Sequence, residues 1–440
     1  MSDKVSHKVH KALKVRIYPS EKQKVILNKT LGCCRFMYNE RLSEHIEYWN
    51  LYKDDPDRPA FKGKLPKELR ETEHPWLGED TISEALSQSI NNCERAYSNF
   101  FKSLKGDRKG RKVGYPKFKS KKQHKDSFTL HMIRKKGLVN FKARTIFIPK
   151  LKDTKFRIAN SSLKSKWIEW FSEAKSLHMT VSRNACGEYY CSIIFEREQD
   201  IVQNINLSSS IGLDFSPSSL YIDNNNNPAP NYKPYKQLNK KKLKKLQRNL
   251  SRKQKDSNNR EKARVKLAQF EKHISDSRRD YIEKETLRLV QTYDVIGIED
   301  LNLQGMMKFS HNAKNYVDTS WYTFTQKLIW KSQFNNCIVV KADRFYPSSK
   351  TCNSCGYINH NLTLKDRKWV CPNCGSEIIR DQNAGKNLRD NAVNLLVDEI
   401  KSTLGTGRTE VMSMEGMEAT YHNGICREVF YEVENAKPLA

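Results

Sequence analysis

An α+β fold of several domains is what this sequence predicts, and three observations carry it. Two CxxC pairs, Cys352/Cys355 and Cys371/Cys374, stand fifteen residues apart. Two short apolar stretches, Ser209–Asp214 (SSIGLD) and Asp294–Glu299 (DVIGIE), each read as a strand ending in a carboxylate. A further carboxylate, Asp381, opens a helical pattern seven residues after the last cysteine. Together they describe a ribonuclease-H-like core with an inserted zinc ribbon.

Four thiolates at the CxxC spacing close a tetrahedron around one Zn²⁺. Gly356 and Gly375 follow the two pairs, where a tight knuckle turn needs a positive φ. A four-sulfur site leaves no open position, so this zinc holds structure and does no chemistry.

The carboxylates carry the chemistry. Asp381 lies in RDQNA, ahead of a helix over 384–397 with Ala384, Leu388, Ala392 and Leu395/Leu396 on one face. That position suits a helix N-cap as well as a metal ligand. Strand-terminal carboxylates from separate elements, with one at a helix start, are the set that holds two Mg²⁺ about 3.5–4 Å apart. Hard, hydrated Mg²⁺ matches an all-oxygen set. Asp300, beside Glu299, would point to the opposite face if the strand continues.

Composition limits the partners. The 440 residues carry a net charge of +29 with a pI near 9.6, which calls for a polyanion. No run of eighteen apolar residues and no signal-peptide pattern appears, so a cytoplasmic chain away from membranes is expected. The 11 cysteines, four of them assigned to zinc, read as thiols of a reducing compartment rather than a disulfide framework.

Along the chain, Leu13–Tyr18 alternates as a strand does, and Ser20 caps a helix running to about residue 52. A polar loop with Pro56, Pro59 and Pro66 leads to a second helix over 81–104. Its core face holds Ile82, Leu86, Ile90, Cys93 and Tyr97, and its other face offers Gln88, Asn91, Asn92 and Arg95. Amides and a guanidinium read base edges, although polar residues on an open face are also simply solvated. Lys102–Lys125 carries eleven Lys/Arg against one acid, with Tyr115, Pro116 and Phe118 interleaved. Cations such as Lys117 and Lys119 between rings suit a nucleic-acid strand. Residues 127–195 are β-rich, with a hairpin turning at Asn184–Gly187, and 200–207 reads as a polar linker. Lys236–Lys255 holds ten basic residues and no acid, with Leu243, Leu246 and Leu250 as a thin stripe. Lys241, Lys242, Lys244 and Lys245 coat the rest of that helix. A second helix over 257–293 would span roughly 55 Å. Residues 303–335 read as a helical insertion, 337–342 as a buried strand, and the acidic stretch past 404 as a flexible tail.

The motifs KALKVRIYPSEKQ, CRFMYNERL, RAYSNFFKSLKG, YPKFKSKK, IGLD, IEDLN, DRFYPSSKTC, the two CxxCG knuckles and RDQNAGKN resemble the TnpB family. These transposon-encoded RNA-guided nucleases are similar to small type V CRISPR effectors. The resemblance runs from about residue 8 to about residue 397. It departs at Ile379, where the family commonly has Asp, and at Phe215, where Gly is common; neither position is a metal ligand. The resemblance implies an oligonucleotide-binding-like β-barrel (1–19 and 106–205) interrupted by a helical recognition lobe (20–105). It further implies a RuvC-like nuclease domain (206–347 and 381–404), a target nucleic-acid-binding zinc ribbon (348–380) and a tail (405–440). Asp214, Glu299 and Asp381 would then be catalytic and hold Mg²⁺, and Cys352, Cys355, Cys371 and Cys374 would hold zinc. The partners would be a guide RNA and a target DNA duplex with its unwound strands, bound by one copy of the chain near the nucleoid. Set against this stand a nuclease-inactive guide-directed repressor and an RNA-independent transposase.

Overall fold

The computed structural model describes residues 7–78, 80–108, 110–123, 126–131, 137–158, 166–199, 202–303, 305–306, 319–363, 365–404, 417–422 and 425–431. Lys125 of the basic segment, most of 303–318 and most of the tail lie outside the described residues. The chain divides into two compact units, Met1–Gln199 and Asp200–Ala440.

In the first unit, strand β1 (His7–Tyr18) leads into α1 (Glu21–Tyr52). The Ser20 hydroxyl accepts from the Gln23 amide, and Gln23 answers with a bond from the Ser20 amide, a reciprocal cap that fixes the helix start. A short α2 (Pro66–Glu71) precedes α3 (Ser83–Lys105), which packs on α1 through Leu42, Tyr38 and Cys93. Strands β2 (Asp126–His131), β3 (Val139–Asn140), β4 (Thr145–Ile148) and β5 (Lys152–Phe156) follow, then α4 (Lys166–Glu173), β6 (Lys175–Arg183) and β7 (Tyr189–Gln199).

These strands form one seven-stranded sheet in the order β2-β6-β7-β1-β5-β4-β3. The N-terminal strand does join the later β-block. It pairs with β7 from His7↔Gln199 to Ile17↔Tyr189, and with β5 only at Ile17 and Tyr18. The expected barrel does not close. At one end β3 is two residues long and offers too few backbone groups for a ladder. At the other, α1 and α3 pack over β2, and the His131 amide donates to Glu84 instead of to a strand.

The second unit is built on a four-stranded sheet of order β10-β9-β11-β12. Its strands are β9 (Ser210–Ser216), β10 (Leu220–Asp223), β11 (Val295–Ile298) and β12 (Ile338–Lys341). β9 and β10 are antiparallel, whereas β9, β11 and β12 run parallel. Parallel neighbours need crossovers, supplied here by α5 (Tyr235–Leu238), α6 (Lys240–Ser251) and α7 (Asn258–Thr292), then by α8 (Trp321–Ser332). One face buries Ile211, Leu213, Ile296 and Ile298 against Leu289, Phe324 and Leu328. The other buries Val295 under Ala392, Val393 and Leu396 of α9 (Arg380–Leu404).

Between β12 and α9 lies the cysteine-bearing segment, with the hairpin β13 (Lys368–Val370) and β14 (Glu377–Ile379). Cys352, Leu362, Trp369, Cys371 and Ile378 form its small core. Two expectations change here. The linker at 200–207 contains β8 (Val202–Asn206), on the second unit's side of the division. Within the tail, β15 (Met417–His422) and β16 (Ile425–Tyr431) pair in the order β16-β15-β8. Among the described residues no helix is long and apolar enough to cross a membrane.

Candidate active site and metal centre

The parallel register decides where two of the carboxylates go. Leu213 of β9 lies opposite Ile298 of β11, so the next residues, Asp214 and Glu299, emerge side by side at the carboxyl edge of the sheet. The third comes from α9, which lies so close to both strands that only glycines fit beneath it. A Cβ on Gly212 would fall 1.9 Å from the Gly385 carbonyl oxygen, and one on Gly297 would fall 2.1 Å from the Leu388 carbonyl oxygen. Gly212 and Gly297 are themselves cross-strand partners, so they form a shallow seat for the helix. One turn before Gly385 is Asp381, and two residues after Gly212 is Asp214, which puts both at the same end of the sheet. The helix starts at Arg380, so Asp381 sits in its first turn rather than at the N-cap.

The electrostatics are those of crowded negative charge. Asp214 has its pKa raised well above the usual carboxylate range, first by burial and then by the charges of Glu299 and Asp381. Glu299 is raised too, chiefly by burial, against the opposing pull of hydrogen bonds from Ser348 and Asp214. The Ser348 hydroxyl donates to Glu299 Oε1 at 2.9 Å. Two cations face the cluster. Arg367 reaches Asp381 at 3.3 Å, while Arg380, whose charge favours ionised Asp214 and Glu299, keeps a buried Nε with no partner among the described residues. Asp300 turns away to Arg344, at 2.7 Å. A buried pair of carboxylates beside a third, short of compensating charge, fits a divalent cation.

The cysteines fit a metal more directly. All four Sγ atoms lie within 4.8 Å of one another, with Cys352–Cys374 at 3.7 Å and Cys355–Cys371 at 3.6 Å. Tetrahedral Zn–S bonds of about 2.3 Å require sulfurs about 3.8 Å apart. Gly356 and Gly375 adopt φ of +77° and +72°, as the knuckles demand. Ser376 holds the Cys374 thiol down to about 6, which favours the thiolate a metal binds, whereas burial pushes Cys352 up to about 11.

The basic candidates divide. Lys241, Lys242, Lys244 and Lys245 are exposed on α6, whose leucine stripe is half-buried, and Lys242 leans over Phe270 at 4.6 Å. Lys117 and Lys119 are both exposed, although the Lys119 ammonium lies 3.8 Å over the Tyr38 ring, where partial desolvation lowers its pKa. Gln88 corrects the expected open face of α3. It is 4% exposed and donates to Asn92, whereas Asn91 and Arg95 are exposed and Asn92 is half-buried, Arg95 also donating to Asn92.

Comparison with known proteins follows the same layout. Residues 321–388 match a "Cas12f1-like, TNB domain", residues 193–310 match a "Probable transposase" family of IS605 type, and residues 8–54 match a "Helix-turn-helix domain" of the same element. The chain carries TnpB/IS605 transposase-family domains. The last match covers a strand and a single long helix, not two helices. A Streptomyces pristinaespiralis protein named "Putative RNA-guided DNA endonuclease" is 29% identical, over 86% of this chain and 89% of its own length. The Escherichia coli protein of that description, InsQ, is 29% identical over 86% and 91%. A chain from a cryo-EM "Cas12f1-sgRNA-target DNA complex" aligns with a TM-score of 0.48 and 12% identity, over 87% of this chain and 99% of that one.

Proposed function

We propose that this TnpB-type chain is an RNA-guided DNA endonuclease whose hydrolytic centre is Asp214, Glu299 and Asp381 on a RuvC-like core formed by 206–347 and 381–404. The observation that carries the centre is that Asp214 of β9 and Glu299 just past β11 lie side by side, with the charge of Asp381 in the first turn of α9 acting on Asp214. Bound at these carboxylates, Mg²⁺ would supply the activated nucleophile and the charge neutralisation for in-line phosphodiester displacement. The chain's own contribution is to hold three oxygen donors on rigid elements, with Ser348 orienting Glu299. Arg367 and Arg380 place positive charge where a phosphate must enter. Cys352, Cys355, Cys371 and Cys374 hold a structural Zn²⁺ in the ribbon at 348–380.

Specificity on this reading comes from pairing between a guide RNA and one DNA strand, with the protein reading shape and a short adjacent motif. The relatives' names support the guided activity. The exposed lysines of α6 suit the phosphates of that duplex.

The test uses protein purified with the RNA expressed from its own locus. With Mg²⁺ present, the wild type is expected to cut DNA matching that RNA. Glu299→Gln is expected to bind the same DNA with unchanged affinity and leave it whole. Cutting by Glu299→Gln at the wild-type rate would remove the proposed centre. Binding without cutting by the wild type itself would instead make the chain a guide-directed repressor.

A further inference from the structure

The ribbon meets the carboxylate site at its exit, where β14 runs straight into α9, and at its entry through Tyr346–Cys352, a segment fastened at both ends. At one end the Ser348 hydroxyl donates to Glu299 Oε1 at 2.9 Å. At the other, Cys352 is a member of the four-sulfur cluster. Between them α9 supplies the clamp. The Asn387 side-chain amide donates to the carbonyls of Ser348 and Thr351, each at 2.7 Å. The Asn383 side chain donates to the Thr351 carbonyl at 2.6 Å and accepts from the Asn353 amide at 3.0 Å. Asn353 in turn donates to Asn387 Oδ1 at 3.0 Å. Asn383, Asn387 and Ser348 are all buried, so these bonds are made away from competing water.

Asn383 and Asn387 are one helical turn apart on the helix that carries Asp381. The first knuckle therefore rests on the same element as one carboxylate and holds another through a hydroxyl. We propose that Ser348 and Asn387 are positioning residues for Glu299, so that the first zinc knuckle is part of the divalent-cation site and not only a support for the ribbon. The proposal rests on the carboxylate centre described above. It adds that the affinity of that centre for its cation is set by the knuckle segment. Asn387 holds the Ser348 backbone in place, and Ser348 fixes the Glu299 carboxylate in the one orientation that shares a cation with Asp214.

The experiment compares wild type, Ser348→Ala and Asn387→Ala as RNA-bound protein. Mn²⁺ binding is followed by electron paramagnetic resonance, and cleavage is followed as a function of Mg²⁺. Zinc content and target-DNA affinity are measured alongside. Both variants are expected to need at least about tenfold more Mn²⁺ or Mg²⁺ for half-saturation, while target-DNA affinity stays at the wild-type value. Because the two residues act through one contact, the double variant is expected to be no weaker than Asn387→Ala by more than about twofold. Ser348→Ala removes a single hydroxyl and no contact of the knuckle, so it decides the matter alone if Asn387→Ala loses zinc. Ser348→Ala protein that binds Mn²⁺ as the wild type does, with wild-type Mg²⁺ dependence, overturns the proposal. A wild type that binds Mn²⁺ through Glu299 but cuts no guided target contradicts the endonuclease reading, and the Mn²⁺ comparison still decides the positioning role.

Discussion

The proposed chemistry is tested at the scale of one atom by Asp381. Asp381→Asn keeps the size of the side chain and exchanges an oxygen for an amide nitrogen. The helix starts before it, so the swap costs at most its interaction with the helix dipole, about 0.3–1 kcal/mol, and an exposed pair with Arg367. We expect a folded protein that binds RNA and target DNA as the wild type does. Its single-turnover cleavage in Mg²⁺ should fall by about a thousandfold or more, or roughly 4 kcal/mol of transition-state stabilisation. An unchanged rate would show that Asp381 does not hold the cation. The three candidate carboxylates stand out in the sequence because each ends an apolar run or opens a periodic one. Ser348, Arg367 and Arg380 do not, because their parts depend on tertiary contacts that leave no local pattern. Gln88 was misplaced for a related reason. The stripe that α3 buries runs through Ala85, Leu86, Gln88, Ser89, Ile90 and Cys93, wider than its apolar residues alone mark out.

Among the elements, the seating of α9 on β9 and β11 does most to bring the site together. The glycines of IGLD and IGIE were visible as letters, but their use as a seat emerged only once the two strands paired in register. Gly212→Ala puts a methyl group into the Gly385 carbonyl, and the helix must lift or tilt. Overpacking of this kind typically costs about 1–3 kcal/mol. The expected result is a lower urea midpoint together with loss of cleavage, and a variant matching the wild type in both would refute the seat. The basic helix α6 makes a different kind of element, stabilised along a thin stripe and otherwise open to solvent. Neutralising Lys241, Lys242, Lys244 and Lys245 together should weaken nucleic-acid binding. It should also flatten the dependence of log K on log salt by roughly 0.7–0.9 for each phosphate that a lysine no longer neutralises. An unaltered slope would mean that those lysines face only water. The strands β8, β15 and β16 escaped a reading by composition, since a polar linker and an acidic tail carry no strong alternation until they meet.

For the whole molecule, the sequence made plain what its charge requires but not how its β-strands would end. A chain of +29 needs a polyanion, and the four-cysteine motif with three ordered carboxylates points to nucleic acid as that partner. Whether a seven-stranded sheet closes is decided by what covers its edges, here two helices and a two-residue strand, and no pattern within the strands shows this. The claim above all others is that an RNA tells this protein where to cut. The direct measurement replaces the target-pairing segment of the co-purified RNA with an unrelated sequence. The protein is reconstituted with that RNA and offered, in Mg²⁺, two DNAs that share the adjacent motif and differ only in the matching stretch. Cleavage is expected to move to the DNA matching the new RNA and to disappear from the old one. Cleavage that stays on the original DNA, or that proceeds equally on both without RNA, would contradict it.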